Sequence, residues 1–302
     1  MKKSFIPYIS LSLSMIIVGS TVVVGRVLAN QFPVFLASGL SLLLASVIFG
    51  MLAFKSKGIW SGLTRSDFFI IFLQALFGTF VYRIFFLYGL KFSSAFDAGI
   101  ILSTTPAVTG LLSLMFLKEK LDSNKILGIL FSVVGVLLIN LVYDNAANGS
   151  RSNILIGSLL IFGCVIGQAL FSVLPKALSQ SVTPMAIASL TTVISFLLFL
   201  PMSIYEALNF DFTTVGLGGW ASIIYYGLFA TVVAFLLWFK GLSSIEASAS
   251  GVFTALVPIS AMIFSYLILR ERIYTIHIIG AACVILGIVF IHHRGSLTRK
   301  VD

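Results

Sequence analysis

Apolar stretches of about twenty residues recur from one end of this chain to the other, and that is the helical length that spans the hydrocarbon of a bilayer. In that medium the backbone must satisfy its own hydrogen bonds, so each stretch has to be a helix. Breaks at charge, Gly, Pro and Asn predict helices over 8–28, 33–54, 68–90, 95–117 and 126–143, then over 154–176, 184–206, 219–240, 246–268 and 275–292. The expectation is an all-α membrane protein of ten transmembrane helices. No window between them is long enough for an extramembrane domain, and the short connections make sequential helices antiparallel neighbours. Met1-Lys2-Lys3 ahead of an apolar run imitates a signal peptide, but the run is too long and lacks a small-residue cleavage site, so it is read as the first helix, retained.

Composition agrees: 10% of residues are charged, against roughly a quarter in a soluble domain. A net charge of +9 would suit a nucleic-acid partner, but the basic residues sit in short loops and at the termini, the pattern that orients a membrane protein. With the N-terminus inside the cell, 13 Lys and Arg fall on the inner side and five on the outer (Arg26, Lys91, Arg151, Arg270 and Arg272). The bias favours both termini in the cytoplasm, and the expected location is the inner membrane. Cys164 and Cys283 lie in apolar segments and give neither a disulfide framework nor a metal spacing. They read as packing residues.

Sliding the chain against itself by 152 positions aligns the third to fifth helices with the eighth to tenth. Phe77 and Thr79 fall on Phe229 and Thr231, Gly89 on Gly241, Gly99 on Gly251, Pro106 on Pro258 and Glu119 on Glu271; Gly128 and Gly135 fall on Gly280 and Gly287. The halves are therefore taken as 1–150 and 151–302. Five spans per half is an odd number, so the second half enters the membrane from the opposite side. This inverted-repeat plan lets one bundle rock against another around a midplane site. It also explains why the basic loop with Arg270 and Arg272 faces outward.

At these residues the chain resembles the drug/metabolite transporter superfamily, and within it the EamA-type ten-helix transporters. The likeness rests on Tyr88-Gly89-Leu90-Lys91-Phe92-Ser93-Ser94-Ala95, Pro106, Leu117-Lys118-Glu119-Lys120-Leu121 and Gly128. These recur as Gly241-Leu242-Ser243-Ser244-Ile245-Glu246-Ala247, Pro258, Leu269-Arg270-Glu271-Arg272-Ile273 and Gly280. The resemblance implies a central cavity enclosed mainly by helices one to four and six to nine, and export or uptake of small metabolites. Two positions depart from the family pattern: Val18 precedes Gly19 where a Trp is usual, and Ser38-Gly39-Leu40-Ser41 stands where the second helix commonly carries an Arg. The chain places Arg83 in its third helix instead.

Arg83 is the most informative single residue, since a charge away from helix ends costs at least about 2.5 kcal/mol to insert. Its expected partner is Asp97, at similar depth on the next helix, either as a pin between helices or as a charged wall of a substrate path. Pro106 and Pro258 should kink their helices, with Ser103, Thr104, Thr105 and Thr254 supplying hydroxyls that either line the path or bond to freed carbonyls of their own helix. Gln74, Tyr82, Gln168, Tyr225 and Tyr226 are polar in mid-span and must face the protein interior. The glycine pairs at 128/135 and 280/287 each lie on one helix face and read as a packing seam. Glu119 and Glu271 read as loop ion pairs with their basic neighbours, and Trp60, Trp220 and Trp238 as residues near interfacial helix ends.

The resemblance, taken with these residues, implies a secondary transporter of small metabolites (amino acids, amines or related compounds) working by alternating access, with export as the expected direction, a small molecule and the bilayer as partners and a homodimer left open. No cofactor, metal or nucleic acid is implied. A transporter of phosphorylated or nucleotide-linked compounds is the alternative, though it needs a basic cluster where the chain offers Arg83. A channel would need a filter or ring of charges. An enzyme would need a nucleophile, base or metal set at depth, while His277, His292 and His293 all lie near the ends of the last helix.

Overall fold

The computed structural model describes residues 5–55, 62–92, 101–140, 151–270 and 273–293, and every regular element among them is helical. The chain runs through α1 (Ile6–Gln31), α2 (Val34–Lys55) and α3, which comprises Arg65–Ala75, a π-helical stretch Leu76–Val81, and Tyr82–Phe92. It continues through α4 (Thr105–Leu117), α5 (Ser123–Asn140), α6 (Arg151–Val173) and α7 (Pro184–Leu208). Next comes α8, again in three parts: Leu217–Tyr225, the π-helical Tyr226–Val233, and Ala234–Leu242. Last are α9, with parts Ala247–Phe253 and Leu256–Phe264 and a π-helical end Ser265–Leu269, and α10 (Thr275–His293). Asp97, Trp60 and Glu271 lie outside the described residues.

Seven of these helices are long and apolar enough to cross a bilayer, and three shorter apolar ones, Thr105–Leu117, Ser123–Ile139 and Thr275–Ile291, stand beside them. The shortest, α4, begins after a break in its helical run. The break sits where proline chemistry puts it: the Pro106 ring excludes the carbonyl four residues earlier, and the chain tightens there, with the Thr104 amide bonding to the Ile101 carbonyl at 3.1 Å. In α9 the same tightening precedes Pro258, with the Thr254 amide on the Gly251 carbonyl at 3.2 Å and the Ala255 amide on that of Val252 at 3.1 Å. Each proline thus sits just beyond a break in the α-helical pattern, bridged by tighter bonds to the carbonyl three residues back, where the sequence predicts a simple kink.

The helices pack mostly across the two halves: α1 against α8 and α9, α6 against α3 and α4, α2 against α7, and α5 against α10. Lipid offers no hydrophobic drive between helices, so close approach depends on small residues, and the glycines show where it occurs. A Cβ on Gly135 would meet the Gly280 carbonyl at 2.6 Å, and one on Gly280 would meet the Gly135 carbonyl at 2.6 Å. Likewise Gly128 faces the Gly287 carbonyl at 2.9 Å, and Gly287 faces that of Gly128 at 2.7 Å. The glycine pairs are therefore one seam, in which numbering rises along α5 as it falls along α10. The contact is antiparallel and reciprocal.

The same reciprocity recurs elsewhere. Gly89 of α3 abuts Ile161 and the Gly157 carbonyl of α6, while Gly241 of α8 abuts Leu11 and the Pro7 carbonyl of α1. The Ser14 hydroxyl of α1 donates to the Ala234 carbonyl at 2.7 Å, and the Cys164 thiol of α6 to the Tyr82 carbonyl at 3.5 Å. Ala234 and Tyr82 each follow a π-helical stretch, where register is lost and a carbonyl needs an outside donor. The two described non-glycine residues with positive φ, Lys118 at 54° and Arg270 at 57°, also occupy corresponding positions, each closing a helix with a cation beside its last carbonyls.

Loops meet at two ends. At one, Asp67 completes a capping box with Thr64 on α3 and accepts from the Ser179 amide at 2.9 Å. At the same end the Glu119 carboxylate accepts from the Ala247 amide at 2.9 Å, the Ser248 amide at 3.1 Å and the Ser248 hydroxyl at 2.6 Å. Glu119 therefore caps α9 from the other half of the chain and is not the local loop ion pair expected, because free amides at a helix start offer a carboxylate more than exposed lysines do. Lys125 pairs with Glu246, and Lys176 lies within electrostatic reach of both glutamates. At the opposite end Glu206 caps α2 through the Leu36 amide at 2.6 Å, and Phe32 meets the Trp220 ring edge-on at 5.4 Å. Trp238, expected near an interface, is fully buried in the cluster that holds Phe171, Phe239 and Leu242.

Candidate functional site

The π-helical stretches of α3 and α8 occupy matching places, and the polar residues of the interior gather beside them. A π turn adds a residue to the helix, rotating the side chains that follow it and freeing carbonyls, and such turns concentrate at functional sites. In α8 the Thr231 hydroxyl bonds back to the Tyr226 carbonyl at 2.9 Å.

Arg83 lies just beyond the π turn of α3, more than two helical turns from Phe92. Its Nη1 donates to the Ser38 hydroxyl of α2 at 2.9 Å, and the guanidinium lies 5.9 Å from the Phe199 ring centroid of α7. Tyr226 and Tyr82 are both within electrostatic reach of it. Arg83, Tyr82 and Tyr226 are half-buried, as are Gln168, Tyr225, Thr104 and Thr254. Tyr226 is fixed by its hydroxyl donating to the Thr21 carbonyl of α1 at 2.6 Å, and Gly25, one turn further on, leaves the room it needs. Tyr225 hydrogen-bonds to the Ser20 hydroxyl, and its ring stacks on Phe229 at 5.3 Å. The Tyr82 ring lies parallel to Phe86 at 6.0 Å.

The remaining sequence candidates divide. Gln74 is fully buried and ties three helices, its amide donating to the Phe171 carbonyl at 3.3 Å and accepting from the Thr191 hydroxyl at 3.4 Å. In this conformation it tethers α3 to α6 and α7. Thr104, Thr105 and Thr254 each donate to the carbonyl three residues back, of Ile101, Leu102 and Gly251, at 2.6 Å. These hydroxyls thus serve the interrupted helices in which they lie. Asp97 falls outside the described residues, so the Arg83 contacts on view are those with Ser38 and Phe199. Ser20 and Thr21 of α1 join this cluster without any mark in the sequence, and Ser38 stands where the family pattern commonly has an arginine. The Arg83 guanidinium is delivered to that segment of α2 from α3.

A family model for EamA-like transporters matches residues 5–141 and again 155–292. The chain belongs to the EamA-like transporter family. It is 42% identical to the "Uncharacterized transporter YetK" of Bacillus subtilis over 95% of this chain and 87% of that one. It is 27% identical to the "Uncharacterized transporter YyaM" of the same organism, over 82% of this chain and 80% of that one. An uncharacterized transporter of Archaeoglobus fulgidus is 27% identical over 86% and 88% respectively. A crystal structure 19% identical in sequence superposes with a TM-score of 0.75 over 93% of this chain and 94% of its own, a likeness of fold. With its apolar helices, the family assignment makes this a multi-pass membrane transporter. Among the described residues no group of His, Cys, Asp and Glu is placed to hold a metal ion.

Proposed function

We propose that this EamA-family protein is a ten-helix secondary transporter, built from inverted five-helix repeats at 1–150 and 151–302, that exports small metabolites across the cytoplasmic membrane by alternating access. The observation that carries the reading is the reciprocity of contacts between halves: Gly128 to Gly287 with Gly135 to Gly280, and Gly89 to α6 with Gly241 to α1. Residue i meeting the counterpart of j while j meets the counterpart of i is the signature of a twofold axis, and antiparallel α5 and α10 are what an axis in the membrane plane requires. A scaffold related to itself in this way has two arrangements of similar energy, one open to each side.

In this reading the Glu119 cap on α9, with the Lys125–Glu246 pair, is the closed cytoplasmic end. Opening inward pulls Glu119 from the Ala247 and Ser248 amides.

The test uses a cysteine-free background carrying Glu119→Cys and Ser248→Cys, reconstituted in vesicles and screened for counterflow of amino acids, amines and nucleobases with and without a pH gradient. Oxidation to the disulfide should stop exchange and reduction should restore it. Undiminished exchange with the bridge in place would rule out this closure as a step of the cycle. Orientation is checked separately with reporter fusions in the loop at 144–153, expected outside. A cytoplasmic signal there would invert the assignment.

A further inference from the structure

We propose that Arg83 forms an anion site in the transport path and that it takes the carboxylate of the transported metabolite; the substrate class rests on the transport reading above, the site itself does not. Among the described residues Arg83 is the charged side chain set more than two turns inside its span, and such a charge at depth marks a substrate or ion pathway by default. Among the described residues, what holds it there is neutral. The Ser38 hydroxyl takes one of its five N–H groups and the Phe199 ring lies on its flank, so the guanidinium is oriented by these contacts without being cancelled by them.

The repeat supplies an independent argument. The position corresponding to Arg83 in α8 is Phe235, whose ring packs on Phe171 at 5.4 Å and Phe239 at 6.0 Å. Tyr82 corresponds to Ala234, and Tyr226 to Gln74. The architecture is thus satisfied by apolar residues where α3 carries Tyr82 and Arg83, so packing does not demand a cation there. Arg83, Tyr82 and Tyr226 are all half-buried, and the Tyr226 hydroxyl is already committed to the Thr21 carbonyl. A planar fork of N–H groups presented singly matches a carboxylate, bidentate and singly charged. A phosphate, with nearly two charges, would call for a second cation, and the corresponding residue of α8 is Phe235.

The experiment reads the field at the site without knowing the substrate. In a background with Cys164→Ser and Cys283→Ser, Tyr226→Cys is labelled in vesicles by two methanethiosulfonates of similar size, one carrying a sulfonate and one a trimethylammonium. Rates are expressed relative to the same reagents on free cysteine. The sulfonate should be favoured at least fivefold, Arg83→Lys should keep the preference, and Arg83→Gln should remove it. If Arg83→Gln does not assemble, the ratio with Arg83 present decides by itself. Equal rates, a preference for the cation, or inertness to both reagents would overturn the anion site. Equal rates that become sulfonate-selective on Asp97→Asn would show that Asp97 cancels the charge, and would overturn it for that reason.

Counterflow with phenylacetate and phenethylamine in the same vesicles tests the substrate class. Exchange of the amine alone overturns the carboxylate assignment and leaves transport standing. Exchange of phenylacetate that is lost in Arg83→Gln supports both. An anion preference with no exchange of either probe supports the site and removes the carboxylate assignment for compounds of this size.

Discussion

The two halves of this transporter share a scaffold and differ in chemistry. Each has a third-position helix interrupted by a π turn, in α3 and in α8, and each draws on a small donor from the other half, Cys164 for Tyr82 and Ser14 for Ala234, to satisfy the carbonyl just past it. After the turn the sequences part. The first half continues with Tyr82 and Arg83 and binds Ser38; the second continues with Ala234 and Phe235 and fills an aromatic core. Gln74 of the first half ties α3 to α6 and α7 of the second, whereas its counterpart Tyr226 lies within electrostatic reach of Arg83. The matched contacts are carried by small residues and backbone, and the unlike residues are the polar ones beside the π turn of α3.

The most damaging changes should fall on the shared scaffold and be equal in the two halves. Leucine at Gly135 or at Gly280 drives a side chain into a partner carbonyl that would stand 2.6 Å from the first added carbon. Backbone cannot yield as a flexible side chain does, so the cost should exceed the about 1–3 kcal/mol of ordinary overpacking. Both variants should lose the monodisperse peak on size exclusion in detergent. Survival of one and loss of the other would break the equivalence of the halves.

Exchanging the unlike residues should sharpen the contrast. Phe235→Arg places a charge beside Phe171 and Phe239 and should cost at least about 2.5 kcal/mol, seen as lost expression. Arg83→Phe should assemble at near-normal yield and lose carboxylate exchange. If Arg83→Phe fails to assemble as Phe235→Arg does, the charge is structural and the division between scaffold and chemistry fails at its central residue.

Smaller effects belong to the end caps and the π turns. Glu119→Gln keeps the shape but removes the charge that faces the Ala247 and Ser248 amides, and should cost about 1–2 kcal/mol, read as a lower Tm in detergent. If it leaves the Tm unchanged, the cap contributes nothing to the closed end. Ser14→Ala and Cys164→Ala should be mildest, at about 1 kcal/mol or less, with Ser14 the larger because a hydroxyl at 2.7 Å is a better donor than a thiol at 3.5 Å. The reverse order would mean that the two π turns are not supported in the same way.

Much of the architecture was legible in the chain because each signal was local. Hydropathy marked where helices run, and the glycine spacing at 128/135 and 280/287 marked one face, which became the seam. Other features were hidden. Glu119 has basic neighbours in sequence, and its true partners are amides more than a hundred residues away. Trp238 lies four residues from a helix end, a position that suggests an interface, yet it packs into the core. Neither π turn carries a sequence mark beyond the matched Phe77-Gly78-Thr79 and Phe229-Ala230-Thr231.

What the sequence determined by itself was the solvent of this protein, its helical class and the self-similarity at an offset of 152, since length, hydropathy and internal likeness are properties of the chain alone. Tertiary structure decided which polar groups meet. Arg83 could be recognised as costly from its position, but that its guanidinium reaches α2 at Ser38, lies by Phe199 of α7 and stands near Tyr226 of α8 depends on three helices remote in sequence converging at one depth. A charge in the membrane must find polar company, and only the packing of helices determines which company is within reach.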